Sequence, residues 1–563
     1  MRFVLSKPVC GLALALACLA LGACRSRGSS ESAPPAGSVE DFEEPAPKEL
    51  LAELTLGNPK ATWQSLRLLG GDAAQALPTS LPVLLATSLS LPPAAVGNLD
   101  EALPAVGVLL ARAETSEPDV VLGMHVVSGS ELVASLTLGD GAKFRSIEVA
   151  PRIVRLLPAP GAAEFNGALG VSGNYLLLAT RNAALTSAGR FVAEVLPKRA
   201  SAEPGLRLRA SQQVLSGSIA RVLRQAWQAR RATLAARDRA EREAKGRAPD
   251  FADPAVLLGG MDSTVESWLG VLESSRDVTI EVVPEADRLR ATLTLTPEGE
   301  GAAALLAREV VTGPIDPLLA LPASTRAALL LRGNGQKAAE APGAGVAQLL
   351  GDRLDSKQAQ HLNESLGALE QACGGTIVLG WVGAPAPSLN VDCQANDAAA
   401  FSRAVGDALR LVQLPALSNW LTGTVGQPTL TLGPAGDPPA RARLQLRSAR
   451  RGPSLGLPTD LRLAWEARDG VGHLVVSSDA KLGPAALAEG PRLAAASWLA
   501  QSQAQLGSSV AMALYVDVGQ LIGVKDPEAE ARALLTFGKR GERVAVTLEA
   551  APGALRALAS SFR

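Results

Sequence analysis

Aromatic and histidine residues are scarce in this chain of 563 residues. Phe, Trp and Tyr make up 3% of the sequence, which leaves little material for platforms that stack bases or sugars, although the seven Trp could build one. An excess of positive charge is also missing, because 54 Lys and Arg stand against 55 Asp and Glu. Nucleic-acid binding requires many cations that neutralise phosphates. We therefore expect no nucleic-acid partner.

Motifs that carry chemistry are missing too. His125, His361 and His473 have no His, Cys or carboxylate at the spacing of metal ligands, so we expect no metal site. The sequence contains no nucleophile turn of the Gly-x-Ser-x-Gly type, no Walker-type phosphate loop and no dinucleotide-binding glycine pattern. Ser478-Asp479-Ala480-Lys481 fits the Ser-x-x-Lys pattern of penicillin-recognising enzymes, but the other elements of those enzymes are absent. We expect no catalytic residue and no cofactor.

The first 24 residues have the features of an export signal. Arg2 and Lys7 precede an apolar run over residues 8–21, which is too short to remain as a membrane-spanning helix. The run ends in Leu21-Gly22-Ala23-Cys24, which resembles the lipobox of bacterial lipoproteins. That resemblance implies cleavage before Cys24, diacylation of its thiol, and attachment of the chain to a membrane through this N-terminal lipid.

The same resemblance implies a location in the cell envelope. Arg25, rather than Asp, follows the modified cysteine, and by resemblance to the sorting rule of well-studied didermal bacteria this favours the outer membrane over the inner one. Residues 1–23 are then the signal peptide. Residues 24–48 are the lipidated cysteine and a flexible tether, because Ser, Pro, Gly and acidic residues occur there without apolar periodicity.

Cysteine is rare, with five in the chain. Cys10 and Cys18 lie in the leader and Cys24 carries the lipid, so Cys373 and Cys393 remain in the folded part. In an oxidising compartment this even pair predicts a disulfide, with two separate buried thiols as the alternative. Cys373 precedes a predicted hairpin and Cys393 ends it. Antiparallel pairing therefore brings them within the Cα separation of about 4.4–6.8 Å that a disulfide needs.

Short strand-like runs, separated by turn residues, alternate with helical runs after residue 48. This pattern predicts an α+β fold of antiparallel sheets with helices packed on one face. Four pairs of similar segments recur in one order, which predicts an internal duplication with domains at residues 49–310 and 311–563. Chance similarity between Ala-, Leu- and Val-rich strands is the alternative. The pairs are 120–138 with 376–393, 173–185 with 472–487, 288–294 with 543–549, and 206–209 with 514–517. The first pair predicts two strands in each half, over 120–124 and 132–138 and over 376–381 and 388–393.

One charged segment has no counterpart in the second half. Residues 218–247 predict a long helix with an apolar stripe in its first turns and charged residues beyond. The stripe consists of Ile219, Val222, Leu223, Ala226 and Trp227. We expect the stripe to pack against the body and the charged end to project. Arg230, Arg231 and Arg237 are a candidate contact for an anionic membrane or a partner; a solvated helix with internal ion pairs is the alternative.

Together these features favour a membrane-anchored envelope lipoprotein that acts as a non-enzymatic binding or scaffold protein. Its expected partners are the membrane, through the N-terminal lipid, and an envelope protein. A carrier of an apolar ligand, held in a cavity between sheet and helices, is an alternative, because aliphatic side chains greatly outnumber aromatic ones. An enzyme of unknown type is a further alternative.

Overall fold

In this computed structural model, the described residues are 45–71, 78–89, 91–112, 118–138, 144–159, 167–245, 254–333, 354–384, 386–424, 426–433, 439–447, 459–522 and 531–561. The predicted signal peptide, Cys24 and nearly all of the predicted tether lie outside them. The chain divides into two compact units. The first unit comprises Arg2–Ala220 and Ser275–Leu295, and the second comprises Arg221–Ser274 and Thr296–Arg563. The predicted boundary at residue 310 stays a prediction, although 221–274 groups with the second unit.

The first unit is built on antiparallel strands. They are β1 (Leu50–Gly57), β2 (Ala105–Leu110), β3 (Asp119–His125), β4 (Phe144–Ala150), β5 (Ile153–Pro158), β6 (Ala168–Ser172), β7 (Tyr175–Ala179), β8 (Gly205–Ser211), β9 (Ser275–Pro284) and β10 (Leu289–Pro297), the last of which runs past the unit boundary. Neighbouring strands pair in the order β10-β9-β8-β1-β2-β3-β7-β6-β5-β4.

Helices of the first unit include two that begin at side-chain caps. The α-helices are Pro59–Gly70, Leu81–Leu89, Pro93–Val96, Gly129–Thr137, Asn182–Arg190, Leu196–Arg199 and Gln212–Val214, and π-helical turns occupy Phe191–Val195 and Leu215–Ile219. The Asn58 side chain accepts a hydrogen bond from the Ala61 backbone N–H at 3.1 Å, with Pro59 at the first helical position. The sequence therefore marks this helix start clearly.

The strand that the sequence predicted over residues 132–138 is wrong, because those residues belong mostly to the helix Gly129–Thr137. Ser128 caps this helix by accepting a hydrogen bond from the Glu131 N–H at 3.3 Å. Leu132 and Leu136, four residues apart, are both buried on one side of it. A cap followed by this spacing favours a helix over the strand alternation that we inferred.

The second unit repeats the antiparallel architecture. Its strands are β11 (Thr325–Arg332), β12 (Gly374–Val382), β13 (Ser388–Gln394), β14 (Gln427–Leu432), β15 (Ala440–Arg447), β16 (Asp460–Arg468), β17 (Val471–Ser477), β18 (Val510–Asp517), β19 (Arg532–Arg540) and β20 (Arg543–Ala550). Neighbours pair in the order β20-β19-β18-β11-β12-β13-β17-β16-β15-β14. Each strand occupies the place of the strand numbered ten lower in the first unit.

The helices of the second unit include two that lie between β8 and β9 in the sequence. They are Ala220–Lys245, whose first residue belongs to the first unit, Pro254–Glu273, Ala302–Glu309, Asp316–Leu319, Ser356–Ala372, Ala398–Arg410, Pro415–Thr424, Pro484–Leu487, Ser497–Leu506, Val518–Ile522 and Pro552–Ser561, with 3-10 turns at Leu411–Gln413 and Leu493–Ala495. Within the described residues, no helix is long and apolar enough to cross a bilayer.

The predicted α+β fold with antiparallel sheets is confirmed, but helices pack on both faces of each sheet rather than on one. In the first unit, Val121 and Leu177 pack with the segment 184–196, whereas Met124 and Leu176 pack with Leu132 and Leu136. Successive residues of a strand point to opposite faces, so these contacts cover both sides of β3 and β7. The all-buried strand β6 reflects the same double cover.

The two units share strand register as well as strand order. In the first unit, Leu50 pairs with Leu110 and Ala52 with Leu109, which leaves one extra residue in β1. The second unit has the same bulge at the same place, because Thr325 pairs with Val382 and Ala327 with Trp381. A shared bulge is a more specific match than shared composition. It favours the predicted duplication, which stays a prediction.

The four segment pairs that motivated the duplication fare differently. Segments 173–185 and 472–487 cover β7 and most of β17, and segments 288–294 and 543–549 cover most of β10 and β20. Segments 206–209 and 514–517 lie in β8 and β18, so three pairs occupy equivalent strands. The first pair was misaligned by one strand, because residues 120–124 lie in β3 and residues 376–381 lie in β12. The equivalent of β3 is β13.

Candidate functional site

One sheet face in the second unit is lined by polar side chains. We call it the polar face; its members are Asp392, Arg441, Arg443, Asp460, Arg462, Glu466, Arg468 and His473, on strands β13, β15, β16 and β17. Directly paired residues point to the same side of an antiparallel sheet, and residues two apart along a strand share a face. The opposite face of these strands is apolar, since Cys393, Ala442, Leu463 and Trp465 belong to one core cluster.

The row of residues across β13, β17 and β16 differs sharply between the units. Asp392 pairs with His473, and His473 pairs with Glu466, at the third pair from the β16–β17 turn. In the first unit, the third pair from the β6–β7 turn joins Gly123 to Leu177 and Leu177 to Gly170. A row of two glycines and a leucine in one unit is therefore a row of three titratable side chains in the other.

Gly123 shows why the first unit needs glycine in this row. A Cβ added to it would lie 2.9 Å from Leu177 Cδ2 and 3.0 Å from Val192 Cγ1, which is closer than real contacts of this kind. Val192 belongs to the π-helical turn that follows the helix Asn182–Arg190, so helical structure lies directly on the row. In the second unit, Leu482 and Leu487 instead pack on Val475 and Val382, and the titratable row is only partly covered.

His473 and Asp392 form the best-defined polar contact of this face. His473 Nδ1 lies 2.6 Å from Asp392 Oδ1, and Asn390 Nδ2 donates to Asp392 Oδ2 at 3.2 Å. The side chains of His473 and Asp392 are 31% and 20% exposed. The hydrogen bond to Asp392 raises the pKa of His473 above its ordinary value, and partial burial of the imidazole opposes this. The protonated form of His473 is therefore favoured.

Arginines occupy the adjoining part of the polar face. Arg443 donates to Asp460 through Nε at 2.8 Å and through Nη2 at 2.6 Å, and Arg462 Nη2 lies 3.4 Å from the same carboxylate. The paired Arg443 lowers the pKa of Asp460. Two arginines that share one carboxylate leave a net positive charge. Arg441 is exposed and takes no ion pair among the described residues.

The His473–Asp392 arrangement is suited to binding. Because Nδ1 faces Asp392, Nε2 is the ring nitrogen available to a ligand, and in the described part of the chain it has no hydrogen-bond partner. It accepts a hydrogen bond when the ring is neutral and donates one when it is charged. Ser477, on the same face, uses its hydroxyl proton on the Pro387 carbonyl at 3.1 Å. The geometry thus offers a switchable polar contact beside positive charge.

The other residues singled out in the sequence have separate surroundings. His125 lies in β3 with Nδ1 3.0 Å from Asp100 Oδ2, and His361 is exposed on the helix Ser356–Ala372. Ser478-Asp479-Ala480-Lys481 follows β17 as a bend and turn, so it is not the helix that a Ser-x-x-Lys nucleophile requires. Across the described ranges, no group of three or more His, Cys, Asp or Glu is placed to hold a metal.

The structure contains the predicted disulfide between Cys373 and Cys393. Their Cα atoms are 5.3 Å apart, within the expected range. Cys373 follows the last residue of the helix Ser356–Ala372, and Cys393 lies in β13. The bond therefore fastens this helix to the apolar side of β13, while Asp392, the preceding residue, points to the polar face.

The predicted contact residues on the long helix divide into separate roles. Arg231 Nε lies 2.9 Å from Asp262 Oδ2 of the helix Pro254–Glu273, so it is paired. Arg230 is exposed and takes no ion pair among the described residues, and Arg237 is exposed but has a further interaction. The expected packing of the apolar stripe is wrong, because Val222 is 56% and Leu223 36% exposed. The helix also does not project alone.

Sequence reasoning missed Asp392 and Glu466 as partners of His473. We aligned Gly472 with Gly173, which matched His473 to Asn174. The structure aligns the turns instead: Asp469 and Gly470 form a two-residue turn with positive φ at both positions, and it corresponds to Gly173 and Asn174. Asp-Gly is a strong hairpin signal, and aligning the two halves at this turn would have matched His473 to Leu177.

Neither a family model, nor a curated protein, nor a solved structure matches the chain. The function must therefore be argued from the residues.

Proposed function

We propose that this chain is a lipid-anchored protein of the cell envelope, attached through Cys24, and that it acts as a non-enzymatic binding protein. Its polar face holds an envelope protein partner. The leader resembles that of bacterial lipoproteins, which supports the anchor and favours the outer membrane. The carrier and enzyme alternatives stay predictions.

The contrast between the two units is the observation that carries the binding role. Gly123, Leu177 and Gly170 form a row under helical cover, whereas Asp392, His473 and Glu466 form the equivalent row with partial exposure. Charged groups on a sheet face cost free energy when they are covered without partners. In the second unit these charged side chains lie where the first unit has a buried apolar row. This difference favours contact between the charged row and a polar surface of another molecule.

The charge of the polar face indicates what kind of partner fits. Arg441, Arg443, Arg462 and Arg468 outnumber Asp392, Asp460 and Glu466, and protonated His473 adds to the positive side. An acidic protein surface would complement this face. Such complementarity mainly sets partner choice and association rate.

The test is photo-crosslinking of the full-length protein in cells that make it. A crosslinking amino acid at Thr431, which is exposed on β14 and pairs with Arg443, should yield a defined protein adduct. The same amino acid at Glu148, exposed on β4 of the first unit, is the control and should not yield that adduct.

Charge reversal completes the test. Arg441→Glu should lower the yield of the adduct at position 431 roughly tenfold, which corresponds to a loss of about 1.4 kcal/mol in binding free energy. Arg145→Glu, at an exposed strand position of the first unit, should leave it unchanged. Equal adducts at positions 431 and 148, or equal effects of the two reversals, would contradict a partner on the polar face.

A further inference from the structure

The long charged helix is held against a second helix by one side. Arg224 Nη2 lies 3.2 Å from Glu266 and 3.2 Å from Glu273, and Trp227 Nε1 donates to Asp262 at 2.8 Å. Arg231 joins the same carboxylate. Hydrogen bonds to Glu266 and Glu273 raise the pKa of Arg224. Arg224, Trp227 and Arg231 thus define the inner side of the helix Ala220–Lys245.

Another side of this helix combines apolar and basic residues. With 3.6 residues per turn, successive side chains are turned by about 100°, which places Val222, Leu223 and Arg230 together, about 120° from the inner side. Val222 is 56% exposed, Leu223 is 36% exposed, and Arg230 is exposed as well. Ala226 lies between them and is also exposed. We call Val222, Leu223, Ala226 and Arg230 the outer side.

We propose that the outer side binds the surface of an anionic lipid bilayer, with Val222 and Leu223 entering the interface and Arg230 meeting lipid phosphates. Exposed aliphatic side chains next to cations are the pattern of helices that lie in a membrane interface. The helix carries eight Lys and Arg against three Asp and Glu, so its field attracts an anionic surface. This inference rests on the proposed envelope anchor, which would hold the helix near a bilayer.

The pairing of the inner side strengthens the assignment. Arg224 and Arg231 already have carboxylate partners, so an anionic surface would compete with an existing contact there. Arg230 has no ion pair among the described residues, so binding a phosphate breaks nothing in the described structure. Arg224 and Arg231 hold the helices Ala220–Lys245 and Pro254–Glu273 together, and Arg230 is available to lipid.

The experiment uses residues 24–563 with Cys24→Ala, expressed without residues 1–23 so that neither the lipid nor the apolar leader is present, in flotation with vesicles. Vesicles of phosphatidylglycerol and phosphatidylcholine should bind the protein, and pure phosphatidylcholine vesicles should not. Arg230→Glu, and separately the double change Val222→Gln and Leu223→Gln, should each weaken binding by roughly tenfold or more. Raising the salt concentration should weaken it as well.

Arg239→Glu is the matched control, because it makes the same change of charge on the same helix but away from the outer side. The loss of vesicle binding caused by Arg239→Glu should be several-fold smaller than the loss caused by Arg230→Glu. Equal losses would show attraction to net charge alone, and absence of binding by the parent chain would overturn the proposal. Circular dichroism of each variant verifies that the fold persists.

Failure of this inference is separable from failure of the proposed function. The vesicle experiment uses protein without the lipid, so it does not depend on Cys24. The adduct at Thr431 reports the polar face and should be unchanged by Arg230→Glu. Loss of vesicle binding with a retained adduct, or the reverse, identifies which proposal is wrong.

Discussion

At the scale of single residues, one imidazole couples the polar face to pH. The pKa of His473 is raised chiefly by its hydrogen bond to Asp392, while Glu466 also raises it and Arg468 lowers it. A histidine whose pKa is higher in the folded state than in the unfolded state stabilises the fold while it is protonated. That stabilisation is fully present below the ordinary value of about 6.5 and is lost as pH rises through the folded-state pKa.

We therefore expect Asp392→Asn to destabilise the second unit in acid more than in base. The variant keeps the size of the side chain but removes the charge, which costs about 1 kcal/mol at pH 5.5 and much less at pH 9, because His473 is then neutral in both proteins. Thermal unfolding followed across this pH range measures the difference. A loss that is the same at both pH values would mean that the Asp392 contact does not depend on the charge of His473.

The partner of His473 lies beyond the reach of local sequence patterns. Asp392 is 81 residues away, because β14, β15 and β16 intervene between the strands β13 and β17 that pair. Strand alternation identifies which side of a strand a residue faces, but it does not tell which strand lies beside it. The sequence therefore contains no sign of the carboxylate next to His473.

At the scale of elements, local contacts were the ones that sequence predicted well. The disulfide closes one hairpin, since Cys373 precedes β12 and Cys393 lies in β13, and hairpin geometry is set by neighbouring residues. The double helical cover was missed because it requires knowing where Asn182–Arg190 packs after β7. The packing of the long helix was predicted wrongly because the apolar stripe was taken as the packed side, whereas the helix is held through polar contacts with Asp262 and Glu266.

The disulfide should determine how firmly the helix Ser356–Ala372 is held. Replacing Cys373 and Cys393 together with Ala opens a loop of 20 residues, which should cost roughly 3 kcal/mol in the chain-entropy model. Hydrogen exchange should then be faster in this helix, whereas the helix Asn182–Arg190 of the first unit should be unaffected.

A reducing agent provides the independent check. It should accelerate exchange in the parent protein to the level of the double variant and should have no effect on the variant itself. Protection that is unchanged by both treatments would show that the apolar contacts of Leu369, Ala372 and Ile377 hold the helix without the bond.

At the scale of the whole molecule, two units of the same strand order carry different surfaces. The shared bulge at Ala52 and Ala327 shows how closely their registers agree, while the row at Gly123 and Asp392 shows where they differ. If the two units arose by duplication, covering this row with helical structure in one unit and leaving it partly exposed in the other would provide a binding face without a new fold. Function resides in such sites rather than in the fold that presents them.

The proposed anchor would connect these surfaces to a membrane. Two acyl chains on Cys24 hold a protein stably, whereas one chain alone gives marginal binding. With attachment supplied by the anchor, the helix Ala220–Lys245 would contact a bilayer that is already nearby. Its affinity for lipid would then need only to orient the molecule.

The anchor is tested by the intact mass of the protein extracted from membranes. The mature chain should lack residues 1–23 and carry additional mass from acyl chains on Cys24, because the lipobox-like end places cleavage directly before that cysteine. Cys24→Ala should retain the leader and carry no lipid. A parent protein that still contains Cys10 and fractionates away from membranes would contradict the anchor, and the polar face would then have to bind its partner from solution.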